Sequence, residues 1–227
     1  MSAHIPELNI RQIYAAFNQP ITLIDCGEMC APYNSNETPF CCDICHAVPA
    51  AYAQEWKFLQ KNTYLWHEWR GDECAATPTE AASLRAETPE AMLLLACLGA
   101  TQCQRPYRAL SCRQFPFFPY ITDDFRFLGL AYEWAFEDTC WVISHLEQVS
   151  LEYRQEFTTT FDELFSRWPQ EMESYAIHSE EMRSAYVEMR RRIPILHRNG
   201  GCYLLNPGSE RIQRVESKKL AKHGPYQ

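Results

Sequence analysis

Five of the chain's eleven cysteines fall between Asp25 and His46, at Cys26, Cys30, Cys41, Cys42 and Cys45. Zinc and iron-sulfur centres both take cysteine as thiolate, commonly four at a time, and loop spacings let two ligands converge without helix or sheet constraints. Cys26-Gly27-Glu28-Met29-Cys30 offers one such pair, with Gly27 permitting a tight turn, and Cys42-Asp43-Ile44-Cys45 offers another at knuckle-like separation. The neighbours Cys41 and Cys42 do not easily bond to each other, so each looks elsewhere for a partner. A second segment, from Cys97 to Tyr120, adds Cys97, Cys103 and Cys112, with Arg105, Arg108 and Arg113 among them. Four thiolates around a divalent centre leave a charge of about −2, which guanidinium donors can offset while hydrogen bonding to sulfur. The bland alternative for these arginines is surface charge.

The elements that must position these residues are only partly legible. Ile10, Ile13, Tyr14 and Phe17 share one face of a short helix over Leu8 to Phe17. Ile21 to Ile24 reads as a strand end that delivers Cys26 into a loop, and the Pro-, Asn- and Thr-rich stretch between Cys30 and Cys41 reads as a second loop. Tyr52, Trp56 and Leu59 mark a helix after Cys45. Gly71 to Thr88 carries few large apolar residues and reads as an exposed connector. Ala91 to Leu98 is a short buried run that periodicity leaves as strand or helix, and its bounds at Pro89 and Gly99 favour a strand. Pro116 and Pro119 exclude a regular helix in the following segment and leave a loop or edge strand.

Toward the C-terminus, Phe157, Phe161, Leu164, Phe165 and Trp168 form a helical stripe over Leu151 to Trp168, and Tyr175, Ala176, Met182 and Tyr186 repeat it over Met172 to Met189. Such stripes read as core. Asn206-Pro207-Gly208 punctuates two short strands. The expected fold is mainly α with minor β: a cysteine-cluster module over 1–148, then a helical portion over 149–227 ending in a hairpin, packed as one compact unit.

A 46% hydrophobic, 13% aromatic composition can supply a core, and a formal charge of −8 argues against nucleic acid or anionic lipid as a partner. Arg190 to Arg192, with Lys218, Lys219 and Lys222, make the C-terminal part locally basic, which reads as a solvated face. The opening residues lack a basic region followed by an apolar run, and no apolar run approaches the ~20 residues of a membrane span, so a cytoplasmic location is expected. In a reducing compartment clustered cysteines serve as ligands or reactive thiols more often than as disulfides.

A cysteine group with a Cys-Cys doublet, later cysteines, an arginine four residues before a cysteine and then Arg-x-Phe-Pro resembles the YkgJ-type cysteine-cluster family, described as a zinc- or iron-chelating domain. The residues that carry the resemblance are Cys26, Cys30, Cys41 and Cys42, then Cys97, Cys103, Arg108, Cys112, Arg113, Phe115 and Pro116. It departs from the family in the insertion between Cys30 and Cys41 and in Arg108-Ala109 where the family has Arg-Pro. The resemblance implies metal chelation, with a metal ion as partner and zinc or iron, the latter as an iron-sulfur cluster, as cofactor. The leading ligand set is Cys26, Cys30, Cys41, Cys42, Cys103 and Cys112, with Cys45, Cys97, Cys140 and His46 in reserve, and Arg105, Arg108 and Arg113 around the sulfurs.

Three readings follow from that set. The first is a metal-binding protein. An iron-sulfur-dependent redox or protein-modifying enzyme is the second, since flagellin lysine methylases carry a similar cluster; no cofactor loop or catalytic residue is recognisable here. The third is a metal-stapled protein-interaction module. Cys74 and Cys202 read as lone thiols, His67, His145, His178 and His197 as surface or packed histidines, and Glu28 and Asp43 as solvent-facing carboxylates.

Overall fold

The computed structural model describes residues 7–74 and 77–227, so the first six residues of the stretch read for a leader, and two residues of the connector, lie outside the described residues. The chain forms two compact units, one from the residues up to Ala15 with Gly27–Gln114, the other from Ala16–Cys26 with Phe115–Gln227.

The first unit contains helix α1 (Ile10–Ala16), most of α2 (Cys26–Cys30), α3 (Ala53–Asn62), α4 (Pro78–Glu87) and α5 (Leu110–Gln114), with strands β1 (Ala50–Tyr52), β2 (Trp66–Glu68) and β3 (Met92–Cys97). The strands make an antiparallel sheet in the order β1-β3-β2. Central β3 buries Leu95 and Ala96 and ends at Cys97, opposite Trp66. The stretch read as a connector holds α4, because Thr77 caps it: its hydroxyl accepts from the Glu80 N–H while the Glu80 carboxylate accepts from the Thr77 N–H. That reciprocal pair specifies a helix start without a large apolar face.

The unit is tied together by Glu55, buried on α3. Its Oε1 accepts from the Tyr14 hydroxyl and the Leu110 N–H, each at 2.6 Å, and its Oε2 from the Tyr52 N–H at 3.3 Å. Arg113 complements it, donating to the carbonyls of Tyr14, Pro106 and Arg108 at 2.8–3.0 Å and lying over the Tyr14 ring.

In the second unit β4 (Phe117–Ile121), β5 (Phe127–Tyr132), β6 (Ile193–His197), β7 (Cys202–Leu205) and β8 (Ile212–Val215) form an antiparallel sheet in chain order, with helices α6 (Trp141–Ser144), α7 (Leu151–Arg167) and α8 (Pro169–Glu188). Ser150 caps α7, which buries Tyr153, Phe157, Phe161 and Leu164 at the expected spacing. Ser179 on α8 accepts the Ile121 N–H of β4, so this helix lies along the strand and buries Met182 and Tyr186. Pro119 is tolerated because β4 is an edge strand. Gly129 is required: β6 passes so close that a Cβ would stand 2.3 Å from the Leu196 carbonyl oxygen.

The expectation of a mainly α chain with minor β is therefore corrected to a mixed fold with two antiparallel sheets, of three and five strands, alongside its helices. Every residue of β4 and β5 is buried, so neither strand alternates apolar with polar, and the period that would have announced them is missing. Among the described residues, no helix is long and apolar enough to cross a membrane.

Candidate functional site

The Asn34–His46 loop is organised by Asp43, which is buried and does not face solvent as its neighbours' chemistry suggested. Its carboxylate accepts from the Asn34 and Asn36 side chains, the Cys45 N–H and the His46 ring, at 2.8–3.1 Å. Burial alone would raise the Asp43 pKa, yet the donors from Asn34, Cys45 and Asn36 outweigh it and hold the carboxyl below its ordinary value. His46 is thereby a structural residue, its ring edge-on to Phe40. The turn at Phe40–Cys42 sets the Cys41 and Cys42 sulfurs 4.0 Å apart. Cys45 is bonded to Cys74, which is no lone thiol; the other nine cysteines are thiols.

In the first unit Cys97, at the end of β3, and Cys112, on α5, each lie within electrostatic reach of Cys42 from the loop and Cys103 from the turn after β3. Arg108 lies among them. Its Nε donates to the Cys103 sulfur at 3.1 Å, and it feels Cys42 and Cys112 as well. Cys103 is exposed and Cys97 half-buried. Burial first, then Cys97 and Cys42, pushes the Cys112 thiol well up, and burial does the same to Cys97, so both stay neutral sulfhydryls at physiological pH.

Of the other residues of the sequence-derived set, Cys41 lies beside Cys42, with its sulfur 4.0 Å away. Cys30 is buried and donates to the Gly27 carbonyl oxygen. Cys26 and Cys140 belong to the second unit, as does Cys202, whose burial raises its thiol to about 11. Arg108 has its guanidinium on a sulfur, Arg113 donates to backbone carbonyls, and Arg105 opens the turn whose Pro106 carbonyl Arg113 holds. Sequence reasoning placed Glu55 nowhere. The one signal for it is a glutamate three residues after Tyr52 at a helix start.

No group of three or more histidine, cysteine, aspartate or glutamate side chains among the described residues is placed to hold a metal ion. That overturns the expectation of zinc or iron, as ion or iron-sulfur cluster, as cofactor and partner, and with it the metal-binding, iron-sulfur-enzyme and metal-stapled readings. The physical reasons are local. Cys45 is consumed by Cys74 and His46 by Asp43. The chain matches no family model, no curated protein and no solved structure. The resemblance to the YkgJ-type family is likewise withdrawn, since its motif residues neither match a family model nor converge on a metal.

Proposed function

We propose that the first unit is a stoichiometric thiol–disulfide switch, with Cys103 as the reacting sulfur and Cys97 as the resolving one. The observation that carries this reading is the Arg108 Nε–H directed at the Cys103 sulfur, inside a set of thiols that also holds Cys42, Cys97 and Cys112. A thiolate is the attacking form of cysteine, and a guanidinium donor on the sulfur favours the charge it must carry. Exposure gives Cys103 access to a reagent, while burial holds Cys97 and Cys112 as neutral thiols.

The chemistry needs a low-molecular-weight disulfide as oxidant. The Cys103 thiolate attacks one of its sulfurs, forming a mixed disulfide and releasing one thiolate. Cys97 then gives up its proton and attacks the Cys103 sulfur, forming the Cys97–Cys103 bond and releasing the second small thiol. One disulfide is reduced and one is formed, so electrons balance. The five-residue loop between the two cysteines gives the second step its proximity.

Peptide mapping after brief exposure to oxidised glutathione tests the reading. Glutathione should appear first on Cys103, then give way to a Cys97–Cys103 crosslink, and Cys97→Ser should trap the mixed disulfide. Replacing Arg108 by Met should slow the first step about tenfold, as removal of a charge-assisted hydrogen bond of ~1.4 kcal/mol would. First modification at Cys42 or Cys112, with Cys103 untouched, would refute it.

A further inference from the structure

The second unit contains an open-mouthed cavity of about 330 Å³, within the range of small-molecule sites. Its walls divide by chemistry. Ile143, Leu146, Leu204 and Leu220 provide apolar surface, and Arg191, Arg192, Lys219 and His223 provide cationic or titratable nitrogen. No acidic side chain lines it, although the chain as a whole carries a charge of −8. The local basic run that reads as a solvated face in the sequence is therefore partly folded around a concave surface.

One of these cations is fixed in place. Glu137, buried beneath the cavity wall, receives both terminal nitrogens of Arg191 at 2.7 and 2.9 Å, along with the hydroxyls of Tyr132 and Tyr186 at 2.9 and 2.7 Å. A guanidinium has five N–H groups; two of Arg191's are held by Glu137 and a third meets the Met189 sulfur at 3.9 Å. The rest are without a partner among the described residues. Arg192 is paired only with the neutral Gln213 side chain, so its charge is uncompensated, and exposed Lys219 is held by Glu216.

A preformed guanidinium, a second uncompensated one and an apolar wall together select a ligand with an anionic head and a short hydrocarbon or aryl body. We infer that the cavity between α6, β6, β7 and the Lys219–His223 segment binds a small amphipathic carboxylate, its head at Arg191 and Arg192 and its body against Leu146, Leu204 and Leu220. The inference does not rest on the proposed switch, whose Cys42, Cys97, Cys103 and Cys112 belong to the other unit.

Titration of the full chain with octanoate, octan-1-ol and octylammonium, followed by ligand-observed NMR and calorimetry, tests the inference. Octanoate should bind saturably with one site, at least tenfold more tightly than octan-1-ol, and octylammonium should not compete. Replacing exposed Ala221 on the cavity wall by Trp should weaken octanoate at least tenfold by filling the space. The double variant Arg192→Gln, Lys219→Gln should weaken octanoate about fivefold and leave octan-1-ol unchanged. Equal affinity for octanoate and octan-1-ol would overturn the inference, as would undiminished octanoate binding in a folded Ala221→Trp protein. Should that variant fail to fold, the Arg192, Lys219 pair decides alone.

Discussion

Replacing Glu55 separates two roles that a buried carboxylate can play, as acceptor and as charge. Glu55→Leu removes the acceptor for the Tyr14 hydroxyl and the Leu110 N–H, both buried with 2.6 Å bonds. Each orphaned buried donor costs ~1–3 kcal/mol, so the loss should be about 4 kcal/mol, or a urea midpoint lower by about 2 M at an m-value of ~2 kcal/mol/M. Glu55→Gln keeps one oxygen for both donors and sets its amide nitrogen toward the Tyr52 N–H, where the existing bond is long at 3.3 Å. That nitrogen cannot accept, so the Tyr52 N–H loses this acceptor, and the cost at neutral pH should be ~1–2 kcal/mol, well below that of Glu55→Leu.

The pH dependence sharpens that contrast. Burial raises the Glu55 pKa above its ordinary value, against the opposing donors of Tyr14, Leu110 and Tyr52 and the charge of Arg113. A carboxyl whose folded pKa is raised contributes stability that is fully present below the unfolded value near ~4.5 and is lost as pH rises through the folded value. The neutral Gln variant lacks this loss, so the gap between wild type and Glu55→Gln should move in the variant's favour as pH rises from 4 to 7. Urea titrations read by hydrogen exchange of α3 and β3 amides would report on this unit alone. If Glu55→Gln proves as unstable as Glu55→Leu, with the deficit growing as pH rises, the charge itself stabilises the unit and the acceptor argument is wrong.

Glu137→Gln should destabilise the second unit by ~1–3 kcal/mol, because it breaks a two-pronged pair with Arg191, whose part exposure to solvent discounts the full cost of a buried pair; a thermal melt measures it. Burial would raise the Glu137 pKa, but Arg191, Tyr186 and Tyr132 hold it below the ordinary value, so its contribution is present above the unfolded value near ~4.5 and is lost as pH falls through the folded one; the variant's deficit should therefore shrink in acid. Replacing Cys45 and Cys74 together by Ser opens a loop of 29 residues' separation, and chemical denaturation should show a loss of ~3–4 kcal/mol with the order of glutathione modification at Cys103 unchanged.

Sequence periodicity sufficed for the two long C-terminal helices and the final pair of strands, because their patterns are local: Phe157, Phe161 and Leu164 recur on one helix face, and Asn206-Pro207-Gly208 breaks the chain between β7 and β8. For β3 the bounds Pro89 and Gly99, not periodicity, favoured a strand over a helix, and the Pro119 segment was legible only as loop or edge strand. The central strand β5 escaped, since a strand buried along its whole length has no alternation to read. The cysteines and arginines were visible as types, while their roles were not. Whether Cys45 meets a metal or Cys74, whether Asp43 faces water or gathers Asn34, Asn36 and His46, and whether Arg108 or Arg113 reaches a sulfur all depend on contacts between residues distant in the chain. A thiol's chemistry is set by its solvent exposure and the charges beside it, and both are properties of the folded neighbourhood that residue type and spacing do not contain.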